Sequence, residues 1–261
     1  MTDFIAPQWR DLLAENALDS VDAAWTREVA WVEAPNDGRG GLSGVGRVSL
    51  SSSQGQVTGA FLKRQQNHTR RSWKHPLRGE ATFKREFEMV QHLRAHGVPT
   101  LEPMLFGERH VANEVRAVLM TVALDAYQPL DALVASEEFR HMPRGRKRQL
   151  LAAAAQTVRQ MHEAGVQHRS LYAKHLFAAW HGEGYRVVVI DLEKSRFNAW
   201  GVLRTVHDLV TLNYRTTGWS RTARLYFLKQ YYATNALNGW QRAVCKLIAR
   251  RSSARLKPRG K

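Results

Sequence analysis

Residues 144–191 constrain the fold more tightly than any other stretch of the chain. RGRKRQLLAAAAQTVRQMHEAG, from Arg144 to Gly165, is rich in strong helix formers, and Leu150, Leu151, Ala154, Val158 and Met161 make its apolar stripe. The polar run HRSLYAKHLF, residues 168–177, follows almost at once. YRVVVIDLEKSR then reads as a short β-branched strand that delivers Asp191 at its end. A long helix, a polar loop and a strand-end carboxylate in this order predict a loop pinned between a helix and a small sheet.

Upstream the texture is different. WRDLLAENALDSVDAAWTR predicts one or two short helices, capped at Asp19 or Ser20, in an N-terminal extension. After the breaker-rich APNDGRGG, GRVSLSSSQGQVTGAFLKRQ predicts a β-hairpin turning at SSSQGQ. In TFKREFEMVQHLRAHG, Phe83, Phe87, Val90 and Leu93 recur at helical spacing and Gly97 ends the helix. RAVLMTVAL is a buried strand, and from WGVLRTVHDLVTL onward the chain reads as helices closing on the basic tail ARRSSARLKPRGK. The expected class is α+β: a helical extension over residues 1–35, a small β-rich lobe with one key helix over 36–122, and a mainly helical lobe over 123–261. The two lobes are expected to share a cleft.

Composition narrows the partners. A formal net charge of +16 attracts polyanions, whether nucleic acid, acidic phospholipid or a phosphorylated substrate. The single cysteine, Cys245, excludes an internal disulfide and fits a reducing compartment. MTDFIAPQWRDLL lacks the basic start and apolar core of a signal peptide, and the apolar run AVLMTVAL is far below the roughly 20 residues a membrane span needs. A cytoplasmic protein is expected, one that can touch a membrane without crossing it.

Several residues point to chemistry once taken in order. GLSGVGRV resembles a glycine-rich phosphate loop, with Gly41, Gly46 and Val48 in pattern and Ser43 in place of the middle glycine. Lys63 emerges from the following strand, where its ammonium can reach phosphate, and Glu86 on the next helix is placed to hold it. Glu88 is the rival partner, and Glu86 has Lys84 and Arg85 as competing surface partners. HRSLYAKH stands close to the kinase loop HRDLxxxN, with Ser170 where the proton-accepting aspartate belongs and His175 where the second metal ligand belongs. Asp191 follows about twenty residues later, as the metal-binding aspartate does, although DLEK replaces DFG. Glu193 is open to two readings, a third carboxylate of the site or a solvent-facing group. His175 suits Mg²⁺ poorly, because that ion prefers oxygen, and reads equally as a hydrogen-bond donor to phosphate or Asp191 or as a structural histidine.

RGGLSGVGRV, FLKRQQNH, TFKREFEMVQHLRAHGVPT, HRSLYAKHLF and VIDLEKSR together resemble the lipopolysaccharide core kinases of Gram-negative bacteria, in particular their InaA-like branch, over roughly residues 39–196. VHDLVTLNYRTTGWS is similar to the helix that follows in that family. The resemblance implies a compact protein-kinase-like fold, ATP and Mg²⁺ as cofactors, and phosphorylation of a heptose or Kdo hydroxyl of the inner core. It implies nucleotide contacts at Gly41, Ser43, Gly46, Val48, Lys63 and Met120, catalytic work at Lys63, Glu86, Ser170 and Asp191, and metal ligands at Asp191 and His175. The core kinases carry HxD where this chain has Ser170.

Two other readings stay open. An ATP-binding pseudokinase with a regulatory or stress role follows if Ser170 abolishes turnover. A nucleic-acid binder explains the charge and RGRKRQ but leaves the ordered Gly, Lys, Glu and Asp set without a purpose, so no nucleic acid is expected as partner. The tail CKLIARRSSARLKPRGK, with Leu247 and Ile248 among its cations, is expected to suit an anionic membrane surface.

Overall fold

A computed structural model of the chain describes residues 3–36, 41–67, 69–72, 75–111, 114–216 and 218–256. By internal contacts it divides into two units, Met1–Gln91 with Leu101–Asp125, and His92–Thr100 with Ala126–Lys261.

The first unit carries, in chain order, β1 (Phe4–Ile5), α1 (Arg10–Glu15), α2 (Val21–Thr26), β2 (Ala30–Asn36), β3 (Leu42–Ser51), β4 (Val57–Gln66), β5 (Thr69–Ser72), β6 (His75–Ala81), most of α3 (Thr82–Ala95), β7 (Pro103–Val111) and β8 (Glu114–Val122). Six strands form one antiparallel sheet in the order β1-β7-β8-β4-β3-β2, and β5 and β6 pair separately. The β3–β4 hairpin turns at Ser52–Gln56, where Gly55 takes φ +80°, a conformation open to glycine at no steric cost.

Alternation along the strands gives the sheet two distinct faces. Val48, Leu50, Ala60, Leu62, Val118 and Met120 point to one face and are sealed there by Leu13, Leu18, Val21 and Ala24 of the N-terminal segment. Residues 1–35 thus supply a wall of this core, as well as two strands, β1 and β2, beside the expected helices. On the other face Ala117, Leu119 and Phe106 pack under Phe83 and Phe87 of α3. Phe87 stacks on Phe106 at 4.4 Å and meets Phe4 at 4.9 Å. Each buried aromatic ring contributes on the order of 1.5–3 kcal/mol, so the rotation of α3 over the sheet is strongly set.

The second unit carries β9 (Gln128–Pro129), α4 (Leu130–Ala135), α5 (Glu137–His141), α6 (Arg144–Glu163), β10 (Val166–Gln167), β11 (Leu176–His181), β12 (Gly184–Val189), β13 (Arg196–Phe197), α7 (Gly201–Arg215), α8 (Arg221–Tyr231) and α9 (Gly239–Leu256). The apolar stripe of α6 is buried, and Thr157 on it donates to the Val187 carbonyl at 3.0 Å, tying the helix to β12. β11 pairs with β12 and with β9, while β10 pairs with β13. α9 packs on α7, with Val244, Ile248 and Ser252 buried. Ile248 was expected from sequence among the tail's membrane-facing residues; at 2 % exposure it belongs to the core instead. Residues 257–261 of that tail lie outside the described residues.

Candidate active site

In the first unit Lys63 Nζ and Glu86 Oε1 are 2.7 Å apart. Lys63 stands on the α3 face of β4 because its neighbours Leu62 and Arg64 take the opposite face by strand alternation. Glu86 is placed by the helical spacing that buries Phe83 and Phe87 on either side of it, and its side chain is 2 % exposed. The Lys63 ammonium also lies 5.8 Å from the Phe83 ring centroid. Glu88, the rival partner, is exposed on another side of α3.

The register sorts the expected nucleotide contacts. Val48 pairs with Ala60, and Met120 with Leu62, so both side chains point away from Lys63 into the core closed by the N-terminal helices. Their side chains are therefore not brought together with Lys63. Gly46 lies in mid-strand rather than in a loop, and a Cβ there would sit 2.4 Å from Val29 Cγ2, so its lack of a side chain serves packing. Gly41 and Ser43 flank the β2–β3 connection, with Ser43 opposite Asn36, while residues 37–40 of the breaker-rich stretch before the expected glycine-rich loop lie outside the described residues. On the Lys63 face the register instead presents Val45, directly opposite Lys63, and Phe61, with Arg47 held to Asp125 by a two-pronged contact at 2.7 and 2.9 Å.

The second unit gathers the remaining expected residues around one buried carboxylate. Asp208 on α7 accepts the backbone N–H of His168 at 2.7 Å and of Arg169 at 2.9 Å. The same carboxylate accepts from His162 Nε2 and His207 Nδ1, both at 3.2 Å. Full burial pushes its acid upward, but hydrogen bonds from His162 and His207 and the nearby imidazoles outweigh this and hold it far below the usual carboxylate range. His162 Nδ1 in turn accepts from the Tyr231 hydroxyl at 2.8 Å, whose pKa burial raises to about 12. The clamp on the 168–169 peptides accompanies an unusual backbone: Arg169 takes φ +68°, a region that costs a non-glycine residue on the order of 1–3 kcal/mol.

Asp191 is likewise left-handed, at φ +59°. The preceding carbonyl, of Ile190, accepts from His168 Nε2 at 2.9 Å, and His168 Nδ1 accepts the Ser170 N–H at 3.3 Å, which fixes the His168 tautomer. His168 thus staples the polar loop to the end of the β11–β12 hairpin. His175 is oriented by its Nδ1–H, which donates to the Ser170 carbonyl at 2.8 Å, and its Nε2 lies 3.1 Å from Asp191 Oδ2. Burial pulls the His175 pKa below its ordinary value, against the pull of the Asp191 carboxylate and the Ser170 carbonyl. His175 Nε2 and Asp191 Oδ2 thus offer one nitrogen and one oxygen donor side by side, the nitrogen being a donor that Mg²⁺ takes poorly, and among the described residues no group of three or more His, Cys, Asp or Glu is placed to hold a metal. Ser170 is buried beside this pair, and Glu193 is half-buried with Lys194 at 3.8 Å.

Sequence reasoning missed Asp208, although a carboxylate inside the apolar run VHDLVTL was a visible signal: a charge at a buried helical position requires dedicated donors. It also missed Val45 and Phe61, which follow from Lys63 by counting pairs across the hairpin.

The sequence profile of the lipopolysaccharide kinase (Kdo/WaaP) family matches residues 22–232. The chain is 28 % identical over 179 residues to the InaA protein of Escherichia coli, spanning 68 % of this chain and 79 % of that protein. It is 28 % identical over 158 residues to the lipopolysaccharide core heptose(I) kinase WaaP of Pseudomonas aeruginosa, spanning 57 % of this chain and 59 % of that one. A solved structure of WaaP in complex with acyl carrier protein superposes with a TM-score of 0.70 at 22 % identity, covering 98 % of this chain and all of that one, which speaks to the fold.

Proposed function

The chain belongs to the lipopolysaccharide kinase (Kdo/WaaP) family, and from that premise we propose that it transfers the γ-phosphoryl group of ATP to a heptose or Kdo hydroxyl of the lipopolysaccharide inner core, at the cytoplasmic face of the inner membrane. The observation that carries the reading is the Lys63–Glu86 contact. A buried carboxylate bound to a strand lysine is weak evidence for stability, since desolvation offsets much of the attraction. It is well suited to holding an ammonium at one place for phosphate oxygens.

In this reading Lys63 binds the phosphates and Glu86 orients it, while Val45 and Phe61 offer apolar surface on the same face. Asp191 Oδ2 and His175 Nε2 are the groups that would hold Mg²⁺, which when bound neutralises phosphate charge. The acceptor hydroxyl oxygen forms a bond to the γ-phosphorus, the bond from that phosphorus to the β-bridging oxygen breaks, and ADP departs with the electron pair. The acceptor proton passes to water. Ser170 is a neutral hydroxyl and hydrogen-bonds the acceptor instead of deprotonating it. The transition state is loose and needs little early proton removal, so positioning and charge stabilisation supply most of the acceleration. An absent general base costs ~10²–10⁴-fold in rate.

Radiolabelled ATP incubated with truncated core saccharides tests this. Label in the saccharide that is lost with Asp191→Ala and kept with Ser170→Ala supports the reading. Ser170 favours one rival, an ATP-binding protein without turnover; a nucleotide-induced thermal shift with no label in any saccharide would establish it.

A further inference from the structure

Four apolar side chains stand in solvent within seven residues: Phe197 (58 % exposed), Trp200 (75 %), Val202 (44 %) and Leu203 (59 %). Scattered exposed apolar residues are ordinary, but these expose on the order of 400 Å² in one short segment, the scale of the largest apolar patch on an ordinary monomer, which is often functional. The backbone beneath them is firmly tied. Phe197 pairs with Val166, and the Asn198 N–H donates to the Gly165 carbonyl at 2.9 Å. Asn198 Nδ2 donates to Gln167 Oε1 at 2.8 Å, its Oδ1 accepts the Trp200 N–H at 3.0 Å, and Arg204 donates to its carbonyl. The outward aim of Phe197 and Trp200 is thus built into the fold and is not the drift of a loose loop.

Cations predominate around the segment. Lys194 and Arg196 are exposed before it and Arg204 is half-buried after it, with no Asp or Glu between residues 194 and 207, and the nearest acid in sequence, Glu193, lies 3.8 Å from Lys194. Aromatic and aliphatic tips flanked by cations are the make-up of an element that enters the headgroup region of an anionic bilayer, where tryptophan is favoured. A protein partner of ordinary polarity leaves this excess of cations without an explanation. The other basic element, α9, exposes Arg242, Lys246, Arg250 and Arg251 but buries Val244 and Ile248, and its exposed apolar residues, Trp240 and Leu247, stand seven positions apart rather than clustered, so it can support attraction with less apolar surface in one place.

We propose that Phe197–Leu203 is a membrane-docking surface that seats in the headgroup layer of an anionic bilayer. β10 runs from its ladder with β13 straight into His168, Arg169 and Ser170, so docking at this segment holds the loop that receives the acceptor at a set depth beside the lipid. The proposal rests on the kinase reading for its purpose, and its test is separable from it. The full chain is floated with vesicles of phosphatidylethanolamine and phosphatidylglycerol, and with phosphatidylcholine vesicles. The wild type is expected to float with the anionic vesicles, and Trp200→Ser with Leu203→Ser to lower the partition coefficient at least tenfold. Trp180→Ser, which alters an exposed tryptophan on β11, is expected to change nothing. Chain-brominated lipid should quench the wild-type fluorescence more than that of Trp200→Phe. Phosphate transfer to a water-soluble core saccharide should persist in the double variant. Failure of the wild type to float, or equal partition of the double variant, overturns the proposal. A concentration-dependent dimer abolished by the same two substitutions overturns it too, by assigning the patch to a second copy. Flotation lost in the double variant, with no transfer by the wild type to any saccharide, would end the kinase reading and leave the docking surface standing.

Discussion

Asp208→Asn perturbs the centre of the second unit while preserving its shape. Oδ1 takes the Arg169 N–H and His207, and Oδ2 takes the His168 N–H and His162. Whichever way the amide lies, its NH₂ faces two donors and leaves both without an acceptor. At about 1–3 kcal/mol for each unsatisfied buried group, the loss is roughly 2–6 kcal/mol. Release of Arg169 from its left-handed backbone returns about 1–3 kcal/mol, for a net cost of roughly 1–3 kcal/mol when like ends of the two ranges are taken. At about 2–4 °C per kcal/mol, the melting temperature at pH 7 should fall by roughly 2–12 °C. The sign of the pH dependence follows from the depressed folded-state pKa of Asp208. Its stabilisation is complete above the ordinary carboxylate value of about 4 and is lost as pH falls through the depressed value. The asparagine variant has no such titration, so the gap between the two proteins should narrow by about 1 kcal/mol between pH 5 and pH 3. Calorimetric melts of both proteins across that range provide the assay. Equal melting temperatures at pH 7, or a gap that widens on acidification, would refute the reasoning.

Ser170→Asp should raise phosphate transfer by up to ~10²-fold by supplying the missing base, while Ser170→Ala should stay within about threefold of wild type, both read as label transferred per minute. Glu86→Gln should weaken ATP binding about tenfold or more, measured by calorimetric titration, because Lys63 loses the carboxylate that orients it. Gly46→Ala should cost about 1–3 kcal/mol in a urea melt because its Cβ meets Val29, yet leave ATP affinity per folded molecule unchanged; weaker ATP binding would return Gly46 to the phosphate loop.

The larger elements were legible because their periodicities are clean. The α3 and α6 stripes, the SSSQGQ turn and the strand that leads to Asp191, ending two residues before it, all lie where spacing predicted them. Which side of the sheet a residue faces was harder to read. Val48 and Met120 sit in apolar strands whose two faces are both buried, one by α3 and one by α1 and α2, so alternation left no polar mark to tell them apart. The strands β1 and β2 were hidden for a related reason: a two-residue strand has no period, and β2 contains Pro35, which reads as a breaker. At the site, residue order pointed to Lys63, Glu86, His175 and Asp191. The positive φ values of Arg169 and Asp191 and the clamp by Asp208 depend on contacts spanning some forty residues or on tertiary packing, which local propensity does not encode.

The proposed function depends most on binding of Mg·ATP through Lys63 and through Asp191. Calorimetric titration of Mg·ATP into the wild type, Lys63→Met and Asp191→Asn measures it. Each change is expected to weaken binding about tenfold or more while leaving the protein folded. An affinity indifferent to either substitution would contradict the kinase reading.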